Sequence, residues 1–325
     1  MRITKEWQAN LLLSLTALIW GVAFIFQRLV TGVLDTYSFN ALRFAVGALS
    51  LLPVLLVQRR SRPAGEAAVP GAAPFSRTLL PGAVLGAVLF AASALQQFGL
   101  QWTTAGKAGF ITDLYIVLVP LAGLLFGRRP RASLWVSVAL AAAGLYLLSV
   151  TGGFSIGRGD LFELLGSCLW TVHILLVDRF SKRHDPLRLS LLQYLVCALL
   201  SLLAALPSET VTPARFAQAA VPIFYCGILS VGVAYTFQVV GQRHTRPAHA
   251  SILMSMESVF ACLAGILFLH ERLTVRSGIG CALMAAAMLL TQAGSLAQAS
   301  GKARRAAPSG TPEPETGAAE QPAGR

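Results

Sequence analysis

Leu121-Ala122-Gly123-Leu124-Leu125-Phe126 and Leu263-Ala264-Gly265-Ile266-Leu267-Phe268 are nearly the same phrase, identical at five of six positions and 142 residues apart. The same offset pairs Gln96 with Gln238, Gly99 with Gly241, Thr103 with Thr245 and Ala108 with Ala250. Earlier in each half an offset of 150 pairs Trp20 with Trp170 and Leu49 with Leu199, and the longer 58–78 stretch absorbs the difference. Such an ordered series reads as an internal duplication.

Working outward, apolar segments fall at about 9–29, 37–57, 79–100, 105–126, 132–151, 160–178, 187–206, 218–240, 248–270 and 275–294. Each approaches the roughly 20 apolar residues needed to span a bilayer. Charges or breakers bound them, such as Arg59-Arg60, Arg128-Arg129-Pro130 and Asp185-Pro186. The expected fold is all-α and integral to the membrane. It has ten transmembrane helices: a five-helix repeat over 9–151, a second over 160–294, and a disordered cytoplasmic tail over 295–325. The Ala, Pro and Gly-rich 58–78 stretch reads as a loop.

Composition agrees. The 325 residues are 55% hydrophobic and 12% charged, with a mean hydropathy of +0.66, against roughly 25% charge in soluble domains. The net charge of +12 does not indicate a nucleic-acid partner, because the basic residues are scattered through short loops. They sort by side instead. With the N-terminus in the cytoplasm, Arg28, Lys107, Arg158, Arg215, Arg272 and Arg276 face outward and Arg43 lies inside a helix. The other 19 of 26 Lys and Arg residues face the cytoplasm. That bias follows the positive-inside rule with both termini cytoplasmic, which ten crossings allow.

The run from Ala9 to Phe26 is longer than a signal-peptide core, and no A-x-A-like site follows, so it reads as the first transmembrane helix. Cys168, Cys197, Cys226, Cys262 and Cys281 all lie in apolar stretches without C-x-x-C spacing, which indicates neither disulfides nor zinc. Nothing calls for a metal or organic cofactor. Because each half has an odd number of helices, the second half must sit inverted. Inverted repeats place a substrate site near the midplane between the halves.

Glu257-Ser258-Val259-Phe260-Ala261, Leu263-Ala264-Gly265, His270-Glu271-Arg272-Leu273-Thr274 and Gly278 through Leu283 resemble the ninth-to-tenth helix signature of EamA-type transporters, of the drug/metabolite transporter superfamily. Leu18-Ile19-Trp20-Gly21 and Asn40-Ala41-Leu42-Arg43-Phe44 are similar to its first two helices. The resemblance covers about residues 10–294. It implies two five-helix repeats, a cavity lined by helices 1, 3, 4, 6, 8 and 9, and export of amino acids or other metabolites. The chain departs from the pattern at Arg129, where the second half has Glu271, and at Ser258, where the family often has proline.

A charge at the bilayer centre costs about 2.5–3.5 kcal/mol on insertion scales, so each intramembrane charge needs a reason. Asp113 and Glu257 stand at similar depths in the fourth and ninth segments, helices related by the repeat. They either bind an amino group or exchange protons, or are held structurally by neighbouring helices. Arg43 pairs with Asp113, binds a substrate carboxylate, or snorkels. His173 shares a face with Trp170 and is either a proton carrier or a neutral, hydrogen-bonded core residue. Gln96 and Gln238 bind a zwitterion or join helices, and Trp20 and Trp170 line a cavity or pack. Gly82 and Gly86, like Gly278, Ala282 and Ala286, read as close helix packing, with a homodimer as the alternative.

The function expected is alternating-access export, across a plasma membrane of the bacterial inner-membrane kind, of a small zwitterionic or cationic metabolite such as an amino acid, with proton coupling. The alternatives are a carrier of phosphorylated or sugar metabolites, a non-transporting scaffold, and an intramembrane enzyme. Phosphorylated substrates call for cationic clamps at the midplane, whereas Lys107 and His249 stand near helix entrances. There is no HExxH, Asp-rich diphosphate motif or GxSxG, so the chain is not read as an enzyme.

Overall fold

The computed structural model describes residues 2–60, 73–103, 105–125, 127, 132–149, 157–269 and 274–306. Among these the chain is helical, without a strand. In order it runs through α1 (Arg2–Val30), α2 (Thr36–Arg60), α3 (Phe75–Trp102), α4 (Ala105–Thr112), α5 (Tyr115–Leu125), α6 (Ala132–Ser149), α7 (Arg158–Ser181), α8 (Pro186–Ala205) and α9 (Pro213–Phe224). A π-helix (Tyr225–Tyr235) then leads to α10 (Thr236–Gln242), α11 (Pro247–Met254), α12 (Glu257–Leu269) and α13 (Val275–Ala306). Eight of the resulting rods are long and apolar enough to cross a membrane, and Ala132–Leu147 and Val275–Thr291 are shorter apolar helices. The described residues of all ten apolar segments are thus helical, apart from two short breaks at 113–114 and 255–256. Their surface carries many large exposed apolar side chains, including Leu80, Leu125 and Leu267, which suits hydrocarbon rather than water.

The helix starts follow local chemistry. Asp185 accepts from the Leu187 and Arg188 amides at 3.0 and 3.1 Å, with Pro186 opening α8, and Thr212 accepts from Arg215 N at 3.3 Å ahead of Pro213. Residues 58–60 and 75–78 are helical, so the expected 58–78 loop is shorter at both ends. The last helix continues through 295–306, into the segment read as disordered tail, while 307–325 lie outside the described residues.

Packing repeats itself across the halves. α1 lies against the π-helix and α10 as α7 lies against α3, and α2 lies against the π-helix as α8 lies against α3. α1 also meets α11 and α12 as α7 meets α4 and α5, while α2–α8 and α6–α13 join corresponding helices. Small residues permit the closest approaches. A Cβ on Gly47 would stand 2.2 Å from Val231 Cγ1, and one on Gly227 would stand 2.6 Å from Val46 Cγ1. Gly82 and Gly86 are packed against Leu192 and Val196 of α8, so this G-x-x-x-G spacing is used inside the chain.

Candidate functional site: a central cavity between the halves

Two of the rods are interrupted, and at matching places. Between α4 and α5 the amides of Leu114, Ile116 and Val117 bond three residues back, to Ile111, Asp113 and Leu114. Between α11 and α12 Met256 and Ser258 do the same, to Leu253 and Ser255. No proline or glycine stands at either break. The backbone tightens locally to 3₁₀ geometry, and the Ser255 hydroxyl returns to the Ile252 carbonyl at 3.0 Å. The offset of 142 carries Asp113 onto Ser255 and Tyr115 onto Glu257, so each break bears one acid.

A cavity partly open to solvent lies beside these breaks. Its wall is made by Trp20, Phe24 and Gln27 of α1, Arg43 of α2, Gln96 of α3, Thr112 and Tyr115 at the first break, and Trp170 and Ile174 of α7. Ser230 and Tyr235 of the π-helix, Gln238 of α10, and Met254 and Glu257 at the second break complete it. This is the expected set of helices with Arg43 added from the second. Of the eight residues expected at the site, Trp20, Arg43, Gln96, Trp170, Gln238 and Glu257 line the cavity; Asp113 and His173 do not.

Asp113 sits behind Glu257. Its Oδ2 accepts from Ser258, its Oδ1 meets no donor among the described residues, and its carboxyl group lies in hydrogen-bonding contact with that of Glu257. Tyr115 donates its hydroxyl to Glu257 Oε1 at 3.4 Å. Ser258, where proline is common in the family, therefore supplies a donor to the acid pair.

Arg43 is buried without an ion-pair partner among the described residues. Its Nε donates to Asn40 Oδ1 at 2.9 Å, and its guanidinium lies 5.1 and 5.0 Å from the ring centroids of Phe39 and Phe44. It neither reaches Asp113 nor snorkels. His173 stands behind the wall, edge-on to Trp170 with centroids 5.9 Å apart, its Nε2 bonded to Gln193 Oε1 at 3.0 Å. Tyr235 stacks on Trp170 at 6.1 Å and meets Trp20 at 4.7 Å, giving the cavity an aromatic side. Trp170 Nε1 donates to Gln96 Oε1 at 3.1 Å, whereas Trp20 Nε1 donates to the Ser230 carbonyl at 3.2 Å.

Sequence reasoning passed over Gln27, Thr112 and Ser230 in the wall, and Glu163 just behind it. Glu163 is fully buried on α7 and accepts from Thr112 Oγ1 at 2.9 Å. A charge in the 160–178 segment carries the same insertion cost as Asp113 or Glu257. Glu163 lay too near the start of that segment to stand out. Gly21 lets α1 rest directly on the second break: a Cβ there would lie 2.6 Å from the Glu257 carbonyl oxygen.

The sequence matches the EamA-like transporter family twice, over residues 7–150 and 157–292. The chain belongs to that family. It is similar to an uncharacterized transporter of Archaeoglobus fulgidus, 28% identical over 295 residues, covering 88% of this chain and 86% of the relative. It is also similar to the threonine/homoserine exporter RhtA of Salmonella typhimurium, 30% identical over 184 residues, covering 52% of this chain and 58% of RhtA. A crystal structure with 20% identity superposes with a TM-score of 0.66, covering 89% of this chain and 98% of that one, a likeness of fold. The transporter is therefore a multi-pass plasma-membrane protein of the drug/metabolite transporter superfamily.

Proposed function

We propose that the transporter exports a small zwitterion, an amino acid or close relative, by alternating access. One observation carries this reading: the cavity wall holds one cation, Arg43, and one carboxyl group, Glu257. A ligand carboxylate would take the guanidinium, which has no carboxylate partner among the described residues, and a ligand ammonium would take the acid pair. The rings of Trp20, Trp170 and Tyr235 would enclose its side chain. RhtA, an exporter of threonine and homoserine, is a partial relative whose named substrates are of this chemistry.

Two touching carboxylates away from water repel strongly unless a proton or a cation lies between them. Either one satisfies Asp113 and Glu257, so an arriving ammonium competes with a proton for the same place. That competition is the basis for proton-coupled export in this reading. The ten segments would cross the membrane as two inverted five-helix repeats with both termini in the cytoplasm. The mirrored packing of the halves lets them exchange conformations and expose the cavity to each side in turn.

Counterflow of radiolabelled amino acids in proteoliposomes tests this, comparing wild type with Glu257→Gln and Arg43→Gln. Saturable counterflow of one amino acid class should fall about tenfold or more in each variant, corresponding to about 1.4 kcal/mol of lost binding. Counterflow unchanged in both would remove the zwitterion reading.

A further inference from the structure

Glu163 is a buried acid that substrate binding does not use. It rests on Gly99 of α3, so closely that a Cβ on Gly99 would lie 2.4 Å from its Oε1, and that oxygen meets no donor among the described residues. The repeat supplies a comparison. Gly241, the counterpart of Gly99, is packed in the same way by Leu13, which an offset of 150 places at the position of Glu163. A leucine thus makes this contact in one half, and packing alone does not require an acid in the other.

The neighbours differ in the same sense. Asp160, one turn before Glu163, accepts from Thr103 Oγ1 at 2.8 Å and from the Gly157 amide at 2.7 Å, at the end of the bundle where α7 begins. Ser167, one turn after Glu163 on the same face, is fully buried, and its hydroxyl has no partner among the described residues. Thr112 joins Glu163 to the cavity wall. The counterparts in the other half are Asn10, Leu13, Ala17 and Met254, which offer no acid or hydroxyl. Glu163 faces few charges: Asp160 acts on it from its own helix, α4 presents the Thr112 hydroxyl with Asp113 next in the chain, and α3 presents Gly99. On the α1 side, Arg28 is turned to the Leu100 carbonyl.

We infer that Asp160, Glu163 and Thr112 form a one-sided proton path between the cavity and the end of the bundle where α7 begins, the side placed outside by the basic residues. The Asp160 carboxylate, bonded through its two oxygens to Thr103 and Gly157, delivers a proton across one helical turn to Glu163. The Glu163 O–H then gives its proton to the Thr112 oxygen while the Thr112 hydroxyl releases its own toward the acid pair. Glu163 is left ionised for the next proton. This rests on the transport reading, but it assigns a role that substrate binding alone does not need.

The test uses Glu163→Leu, the residue of the other half, and Glu163→Gln in case the leucine variant misfolds. Counterflow at equal pH on both sides is compared with accumulation driven by a pH gradient, using threonine and homoserine as probes. Both variants should keep counterflow within about twofold. Each should also lose the pH-driven accumulation, which in wild type is about tenfold per pH unit for one coupled proton. Accumulation that survives, or counterflow lost to the same degree as accumulation, overturns the path. If wild type moves neither probe, the transport reading fails for that substrate class, and pH-difference infrared spectroscopy decides the path. A carboxyl C=O band that responds to pH in wild type and is missing from Glu163→Gln supports it, and no such band overturns it.

Discussion

Trp170 donates its indole N–H to Gln96 Oε1 at 3.1 Å, but its repeat counterpart Trp20 does not bond Gln238 in the same way. The π-helix from Tyr225 to Tyr235 accounts for the difference, because it presents the Ser230 carbonyl to Trp20. Gln238 Oε1 is left in the cavity wall with no donor among the described residues.

The two amides should therefore respond differently to loss. Gln96→Leu strands the indole N–H of Trp170 and should destabilise the protein by about 1–3 kcal/mol. Gln238→Leu strands no protein group and should instead weaken ligand binding. Thermal unfolding in detergent, with and without ligand, separates the two. A larger loss of stability from Gln238→Leu would contradict the assignment.

Gly99→Ala should be severe, since the added methyl meets Glu163 Oε1, Cδ and Cγ at 2.4, 2.6 and 2.7 Å. Overpacking of this kind costs about 1–3 kcal/mol or more. Placed on a Glu163→Ala background, the same substitution should cost much less, because the obstructing atoms are gone. Additive costs in that double-mutant cycle would refute the contact.

The α2–π-helix seam makes a similar demand at a different place. Gly47→Ala puts a methyl 2.2 Å from Val231 Cγ1 and 3.0 Å from the Gly227 carbonyl oxygen. We expect lower yield of folded protein and an earlier melt, with partial recovery when Val231 is reduced to alanine. Wild-type melting of Gly47→Ala would show that the two helices separate freely.

His184, in the turn between α7 and α8, titrates below the usual 6.5, first because burial strips its water and second because Arg183 is near. Its Nδ1 lies 3.1 Å from Thr78 Oγ1. Burial favours the neutral ring, so its contribution to stability is complete above the unfolded value of about 6.5 and is lost as pH falls toward the folded value. The melting temperature should drop between about pH 7 and pH 5, and drop less in His184→Gln. Equal drops in both proteins would exclude the histidine as the source.

Hydrophobic segments were the most legible part of the fold, because bilayer thickness imposes one length on every crossing. Helix ends were less so. Polar turns such as 2–8 and 295–306 continue a helix that no apolar pattern announces. The breaks at 113–114 and 255–256 were invisible because they contain neither proline nor glycine. The duplicated pairs Gln96/Gln238 and Trp20/Trp170 did lead to the cavity, since symmetry puts counterparts at one interface. Asp113, His173 and Glu163 show the limit of that reasoning. Depth in the membrane can be counted from sequence, but whether a side chain faces the cavity or lies one layer behind depends on helix rotation. The eleven-residue π-helix changes that rotation without any sign in the composition.

Gly21 has a mechanical consequence. With no side chain between them, α1 and the start of α12 touch through main chain, at the carbonyl of the residue whose carboxyl group faces the cavity. A flexible side chain at that seam would absorb a small displacement by changing rotamer; bare backbone transmits it. Any displacement of the main chain at Glu257 would thus pass directly to the first helix.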